Sequence, residues 1–216
     1  MAQSARDELA AIMALAPVIP VLTVRSVEDG LAQARALVSG GLAAIEVTLR
    51  TESALTAIAA IAREIPGAVV GAGTITSPGQ IAEAIAAGAR FLVSPGTTRA
   101  LAEAAAATPV PFLPGCATAS EAMALRELGF RALKLFPAEA VGGAKLIASL
   151  AAPLPDLSFC PTGGIDLARA PDYLRLPNVA CVGGSWMLPK DALAKGDYAV
   201  VEKLAREAAG LERRAA

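Results

Sequence analysis

One lysine, in the stretch Arg131-Ala-Leu-Lys-Leu-Phe-Pro-Ala-Glu-Ala-Val-Gly-Gly143, offers the clearest chemistry in the 216-residue chain. The run 132–137 is short, apolar and closed by a proline, which reads as a buried strand ending in a loop. Lys134 in its middle is out of place, because burying an ammonium is costly unless it is paired or gives up its proton. A neutral amine is a nucleophile that forms a Schiff base with a carbonyl. A lysine near a strand end can equally snorkel to solvent or pair structurally with a carboxylate. The other four lysines, Lys145, Lys190, Lys195 and Lys203, lie in polar helical or loop-like settings.

A second strand supplies possible partners. In 44–50 the apolar set Ile45, Val47 and Leu49 suits a helix-covered face, which turns Glu46, Thr48 and Arg50 the other way. The same parity around Lys134 places Leu133 and Leu135 on the helix side, with Lys134 and Phe136 inside. A carboxylate, a guanidinium and a lysine would then share one interior. This is either a reactive group or an ion pair that adds little net stability. Glycine pairs follow two later strands, in Thr162-Gly-Gly-Ile-Asp166 and Gly183-Gly-Ser-Trp186. Such glycines let backbone N–H groups approach a phosphate, or simply turn the chain. Gly71-Ala-Gly-Thr74 and Ser94-Pro-Gly-Thr97 are open to the same two readings, and Cys116 and Trp186 read as packing residues.

The elements that must position these groups alternate along the chain. An N-terminal helix is expected at 4–15, with Asp7 and Glu8 in its first turn. Strand-like runs lie at 18–24, 44–49, 68–72, 90–94, 110–113, 132–136, 158–160 and 179–182. Alanine-rich helical runs lie at 27–38, 53–64, 78–87, 99–107, 119–128, 143–150, 167–174 and 197–209. At three joints (Ser39-Gly-Gly, Ala87-Gly and Leu128-Gly) a glycine precedes an apolar strand, as a left-handed C′ cap would. Eight βα units in this length predict a single-domain α/β fold over 1–216, a (β/α)₈ TIM barrel with an N-terminal helix. A doubly wound open sheet is the alternative.

Composition narrows the function. A hydrophobic content of 55% with 18% charged residues fits one globular domain, and apolar runs break before membrane-spanning length. The acid-bearing, helix-forming N-terminus does not read as a signal peptide. A net charge of −1 without a basic cluster argues against nucleic acid as a partner. Three cysteines with no CxxC pair point to reduced, buried thiols and a cytoplasmic setting. The chain has no histidine, which excludes Ser-His and Cys-His catalysis and imidazole metal sites. Carboxylates, lysine, arginine and backbone amides must carry the chemistry, with no metal or cofactor expected.

Seven segments then spell a resemblance. Glu46-Val-Thr-Leu-Arg-Thr51, Val70-Gly-Ala-Gly-Thr74, Ser94-Pro-Gly96, Phe112-Leu-Pro-Gly115, Lys134-Leu-Phe-Pro-Ala-Glu139, Cys160-Pro-Thr-Gly-Gly-Ile165 and Gly183-Gly-Ser-Trp186 resemble the 2-keto-3-deoxy-6-phosphogluconate aldolases. These are class I lyases of the Entner–Doudoroff pathway, often also active on 4-hydroxy-2-oxoglutarate. The resemblance implies Lys134 as the Schiff-base lysine and Glu46 as general acid/base. It implies Arg50 and Thr74 at the pyruvate carboxylate, and Pro95, Phe136 and Thr162 as pocket lining. Gly163, Gly164, Gly184 and Ser185 would bind phosphate, and the assembly would be a homotrimer. Its substrates would be a phosphorylated 2-keto acid, pyruvate and glyceraldehyde 3-phosphate. Gly115-Cys-Ala-Thr118 departs from the family pattern, which commonly has a β-branched residue and serine there. Preference for 4-hydroxy-2-oxoglutarate or the galactonate epimer stays open, as does a non-covalent sugar-phosphate isomerase.

Overall fold

The computed structural model describes residues 2–213, so residue 1 and residues 214–216 of the domain expected over 1–216 lie outside the described residues. The first half runs α1 (Gln3–Ala14), β1 (Val18–Leu22), α2 (Val27–Ser39), β2 (Ala44–Thr48), α3 (Ala54–Glu64), β3 (Val69–Gly73), α4 (Pro78–Ala86) and β4 (Leu92–Val93). It continues with α5 (Arg99–Ala106), β5 (Phe112–Leu113), β6 (Gly115–Cys116), α6 (Ala119–Glu127), β7 (Ala132–Leu135) and α7 (Gly143–Leu150). The chain closes with β8 (Ser158–Pro161), α8 (Ala170–Leu174), β9 (Val182–Gly184), α9 (Lys190–Lys195) and α10 (Tyr198–Ala209).

The expected closed eight-stranded (β/α)₈ barrel does not form. The parallel strands divide into a six-stranded sheet, ordered β5-β4-β3-β2-β1-β9, and a three-stranded sheet, β6-β7-β8. The fold is α/β with curled sheets. The order of the larger sheet never reverses, so it is not doubly wound either.

Prolines account for the breaks. Pro114 has no N–H to donate and separates β5 from β6. Its carbonyl accepts from Lys134 N at 2.8 Å, in the smaller sheet, while Gly115 N turns back to Ser94 Oγ at 3.0 Å. On the other side β8 ends in Pro161, and among the described residues only the isolated bridges Phe159↔Val179 and Thr162↔Gly183 lead toward β9.

Local sequence explains most boundaries. Ser26, Thr98, Thr118 and Asp197 accept from the backbone N–H three residues on, capping α2, α5, α6 and α10. Gly41, Gly88 and Gly129 take φ of 95°, 92° and 88°, and the next residue's N–H returns to the preceding helix. α1 starts at Gln3, a residue earlier than expected, so Asp7 and Glu8 fall beyond its first turn. Asp7 instead accepts from Gln3, and Glu8 from Arg90. The strand expected at 179–182 forms later, as Val182–Gly184.

Two apolar cores result. One lies between sheets and helices and includes Ile45, Val47, Leu133 and Leu135. The other gathers residues from strands of both sheets and their flanks, with Ile19, Ala44, Phe91, Val93, Leu113, Ala132, Cys160 and Cys181. Leu9, Ile12 and Met13 of α1 join that cluster.

Candidate active site

Side-chain alternation sets the site. Ile45 and Val47 enter the helix-facing core, as do Leu133 and Leu135, so Glu46 and Lys134 turn inward from β2 and β7. Their side chains meet across the interior. Lys134 Nζ donates to Glu46 Oε1 at 3.1 Å and to Oε2 at 3.3 Å. Lys134 is 5% exposed and Glu46 3%. Two buried charges so paired satisfy each other, and either one left alone would be strongly disfavoured. Nζ also stands 5.6 Å from the centre of the Phe136 ring.

Several small residues make room for this pair. A Cβ on Gly73 would lie 2.2 Å from Glu46 Oε1. On the far side, Thr162 is buried, with Oγ1 3.4 Å from its Cys160 carbonyl acceptor, and a Cβ on Gly183 would lie 2.2 Å from that Oγ1. The Thr162 backbone N–H donates to Leu135 O at 2.9 Å, tying it to the lysine strand. Gly163 and Gly164 take φ of 102° and 79°, and Gly163 packs against Phe136 and Pro137. Gly184 lies under the Trp186 ring, which a Cβ would meet at 2.0 Å, and Ser185 is exposed beyond it.

Other expected residues stand further out. Thr74 has φ of 61°, an unfavourable conformation for a β-branched residue. Arg50 is exposed on the turn after β2, and nothing among the described residues pairs with its guanidinium. Pro95 is half-buried, its carbonyl carbon 2.4 Å from where a Cβ on Gly115 would sit. No hydrogen bond or ion pair joins Arg50, Thr74 or Pro95 to Lys134 or Glu46 among the described residues. The inward direction expected for Thr48 is used differently: its Oγ1 donates to Leu22 O at 2.7 Å and pairs with Thr23 at 3.1 Å. The three cysteines are free and buried, and burial, with Glu121 adding, pushes the Cys116 thiol up to about 12. That fits packing, not nucleophilic chemistry.

Ser94, read in the sequence only as part of its Pro-Gly turn, makes specific contacts of its own. Its Oγ accepts from Gly115 N and pairs with Thr97 Oγ1 at 2.9 Å, holding the loop after β4 to the strand switch at Pro114. The signal that could have found it is its position, the last residue of an apolar run before Pro-Gly.

Residues 9–204 match the aldolase family described as KDPG and KHG aldolase, where KDPG abbreviates 2-keto-3-deoxy-6-phosphogluconate and KHG 4-hydroxy-2-oxoglutarate. The chain belongs to this family. The KHG/KDPG aldolase of Escherichia coli (strain K12) is 50% identical over 197 residues, 91% of this chain and 92% of that protein. The 2-dehydro-3-deoxy-phosphogluconate aldolase of Zymomonas mobilis is 45% identical over 208 residues, 96% and 98% of the two chains. Among solved structures, the Legionella pneumophila KDPG aldolase, with pyruvate captured at low pH as a covalent carbinolamine intermediate, aligns with a TM-score of 0.91. The two are 41% identical, and the alignment covers 93% of this chain and 98% of that one. The Zymomonas mobilis ZM4 enzyme with 3-phosphoglycerate gives 0.92 at 45% identity, covering 97% and 98%. This is an aldolase family.

Proposed function

We propose that this chain is a class I aldolase, a lyase that cleaves 2-dehydro-3-deoxy-6-phosphogluconate reversibly to pyruvate and D-glyceraldehyde 3-phosphate. The observation that carries the reading is Lys134 Nζ at 3.1 Å from Glu46 in a buried interior, in a member of this family. The lysine must shed a proton to become a nucleophile, and the Glu46 carboxylate is the acceptor within reach.

The steps follow from those roles. Nζ of Lys134 attacks the C2 carbonyl carbon, and the carbonyl oxygen takes up a proton to give a carbinolamine. Glu46 donates the proton with which that hydroxyl leaves as water, forming the protonated imine. The imine draws in the electron pair of the C3–C4 bond as Glu46 removes the C4 hydroxyl proton. Glyceraldehyde 3-phosphate departs and an enamine remains. Protonation at C3 and hydrolysis of the imine then return pyruvate and free Lys134.

Positions around the pair serve binding. Arg50 and Thr74 hold the pyruvate carboxylate, Arg50 with a guanidinium suited to a bidentate contact. Pro95, Phe136 and Thr162 line the pocket. Gly163, Gly164, Gly184 and Ser185 receive the phosphate through backbone N–H groups and one hydroxyl. Action on 4-hydroxy-2-oxoglutarate is the second reading, favoured by the family's own description, which covers both substrates. The family resemblance also supports a homotrimer in the cytoplasm. Among the described residues no helix is long and apolar enough to cross a membrane. Purified protein given 2-dehydro-3-deoxy-6-phosphogluconate is expected to release pyruvate and glyceraldehyde 3-phosphate in equal amounts, read by two coupled dehydrogenase assays. Turnover of 4-hydroxy-2-oxoglutarate alone would favour the second reading, and release of neither product pair would overturn both.

A further inference from the structure

Glu139 lies four residues beyond Leu135, at the start of a short 3₁₀ turn (Glu139–Val141), and none of the roles above uses it. Its surroundings are unusually polar. The Tyr173 hydroxyl donates a short hydrogen bond to Glu139 Oε1, and Arg169 Nε stands 3.6 Å from Oε2. Tyr173 is a fully buried residue of α8, whose hydroxyl is held protonated by burial first and then by this carboxylate. Arg169 also donates to the Gly164 carbonyl at 3.4 Å and to Asp166 Oδ2 at 2.8 Å.

The same residue grips the glycine loop directly. Glu139 N donates to Gly163 O at 3.1 Å, and Ala138 N to Thr162 O at 2.8 Å. The Glu139 side chain packs so closely that a Cβ on Gly164 would lie 2.7 Å from its Cγ. Gly164, at φ of 79°, therefore has no room for a side chain of its own beside Glu139. One residue thus joins the loop that follows the lysine strand to the loop that follows β8.

We propose that Glu139 is a positioning residue for the phosphate subsite, a reading that rests on the phosphate role of Gly163 and Gly164. Anchored by Tyr173 and Arg169, it fixes the backbone N–H groups of that loop relative to Lys134, so that a phosphate monoester tail and the reacting carbonyl are held at one separation. The alternative is a bystander charge. The two differ in sign: a bystander carboxylate repels a phosphate dianion, so removing it would strengthen phosphate recognition. Removing a clamp would weaken it.

The test is kcat/KM for condensation of pyruvate with glyceraldehyde 3-phosphate divided by the value with glyceraldehyde. Glu139→Ala, at an exposed position, is expected to lower this ratio by about 10-fold to 10²-fold, the loss that accompanies displacement of binding groups by about 1 Å. Trapping of pyruvate on Lys134 stays at the wild-type level. Tyr173→Phe is expected to act in the same direction with the carboxylate still present. Glu139→Gln, which keeps an oxygen for Tyr173, is expected to recover part of the ratio. A ratio that rises or holds in Glu139→Ala, with wild-type trapping, would overturn the clamp and leave the phosphate subsite standing. Equal rates for the two aldehydes in the wild type would overturn the phosphate subsite itself, and the clamp with it.

Discussion

The carboxylate of Glu46 occupies the space that any side chain on Gly73 would fill, since a Cβ there would lie 2.2 Å from Oε1 and 2.5 Å from Cγ. β2 and β3 pair in register with Thr48 opposite Gly73, so neither strand can slide to relieve the clash. Gly73→Ala is therefore expected to push the carboxylate off Lys134 and lower kcat by about 10²-fold. The fold is expected to survive the displacement. Steady-state kinetics beside a thermal melt checks this, and wild-type kcat in the variant would contradict it.

Glu46→Gln tests the proton traffic separately. The amide keeps the shape and cannot accept the lysine's proton. Trapping with pyruvate is expected to persist, slowly, while turnover falls by about 10²–10⁴-fold, the usual range for a general acid/base. An unchanged rate would reduce Glu46 to a structural partner of Lys134.

How much of this was readable beforehand differs from residue to residue. Glu46 and Lys134 were legible because both strands place branched apolar residues on alternate positions, and that period fixed the inward direction. The three glycine caps were legible for a similarly local reason, although the first falls at Gly41 while Gly40 stays right-handed. The break at Pro114 was not. A proline inside Phe-Leu-Pro-Gly reads as a strand end, yet the chain goes straight on as β6 and changes sheets. Which sheet accepts the Pro114 carbonyl depends on Lys134 N, 20 residues away. The packing of Gly73 on Glu46, and of Gly183 on Thr162, was hidden likewise, because each contact joins different strands. Helix α9 was missed since Lys190–Lys195 is six residues long and too short for a periodic pattern.

The proposed phosphate role of the glycine loops has a quantitative consequence. Hydrogen bonds to a charged group contribute about 1.5–3 kcal/mol each, so two or three give roughly 3–9 kcal/mol before desolvation removes about half. Glyceraldehyde 3-phosphate is then expected to outrun glyceraldehyde by about 10–10³ in kcat/KM. Ser185→Ala erodes that preference modestly, because backbone donors remain. Gly163→Val erodes it severely, since the residue sits at φ of 102° against Phe136 and Pro137. Competition between the two aldehydes for pyruvate measures each ratio, and a preference untouched by Gly163→Val would move the phosphate elsewhere.

Asp29 carries a prediction for stability. It accepts from Arg25 N at 3.0 Å, from Arg25 Nε at 3.2 Å and from Tyr198 Oη at 3.2 Å, linking the loop after β1 to α10. Burial opposes its ionised form, but the side-chain and backbone hydrogen bonds from Arg25 outweigh it and hold the carboxyl below its ordinary value. A carboxyl so depressed contributes stability above the unfolded pKa of about 4, and that contribution is lost as pH falls through the folded value. Asp29→Asn is expected to cost about 1–3 kcal/mol at pH 7. The gap from wild type narrows below about pH 4. Urea titrations at neutral and acid pH read both, and a gap that widens in acid would contradict the sign.

Every proposed step depends on a covalent bond between pyruvate and Lys134, which borohydride trapping reads out. Protein incubated with pyruvate and reduced is expected to gain one reduced pyruvyl group, located by peptide mass at Lys134. Lys134→Ala loses both the label and the turnover. Label on Lys145 instead, or full activity in Lys134→Ala, would contradict the Schiff-base account.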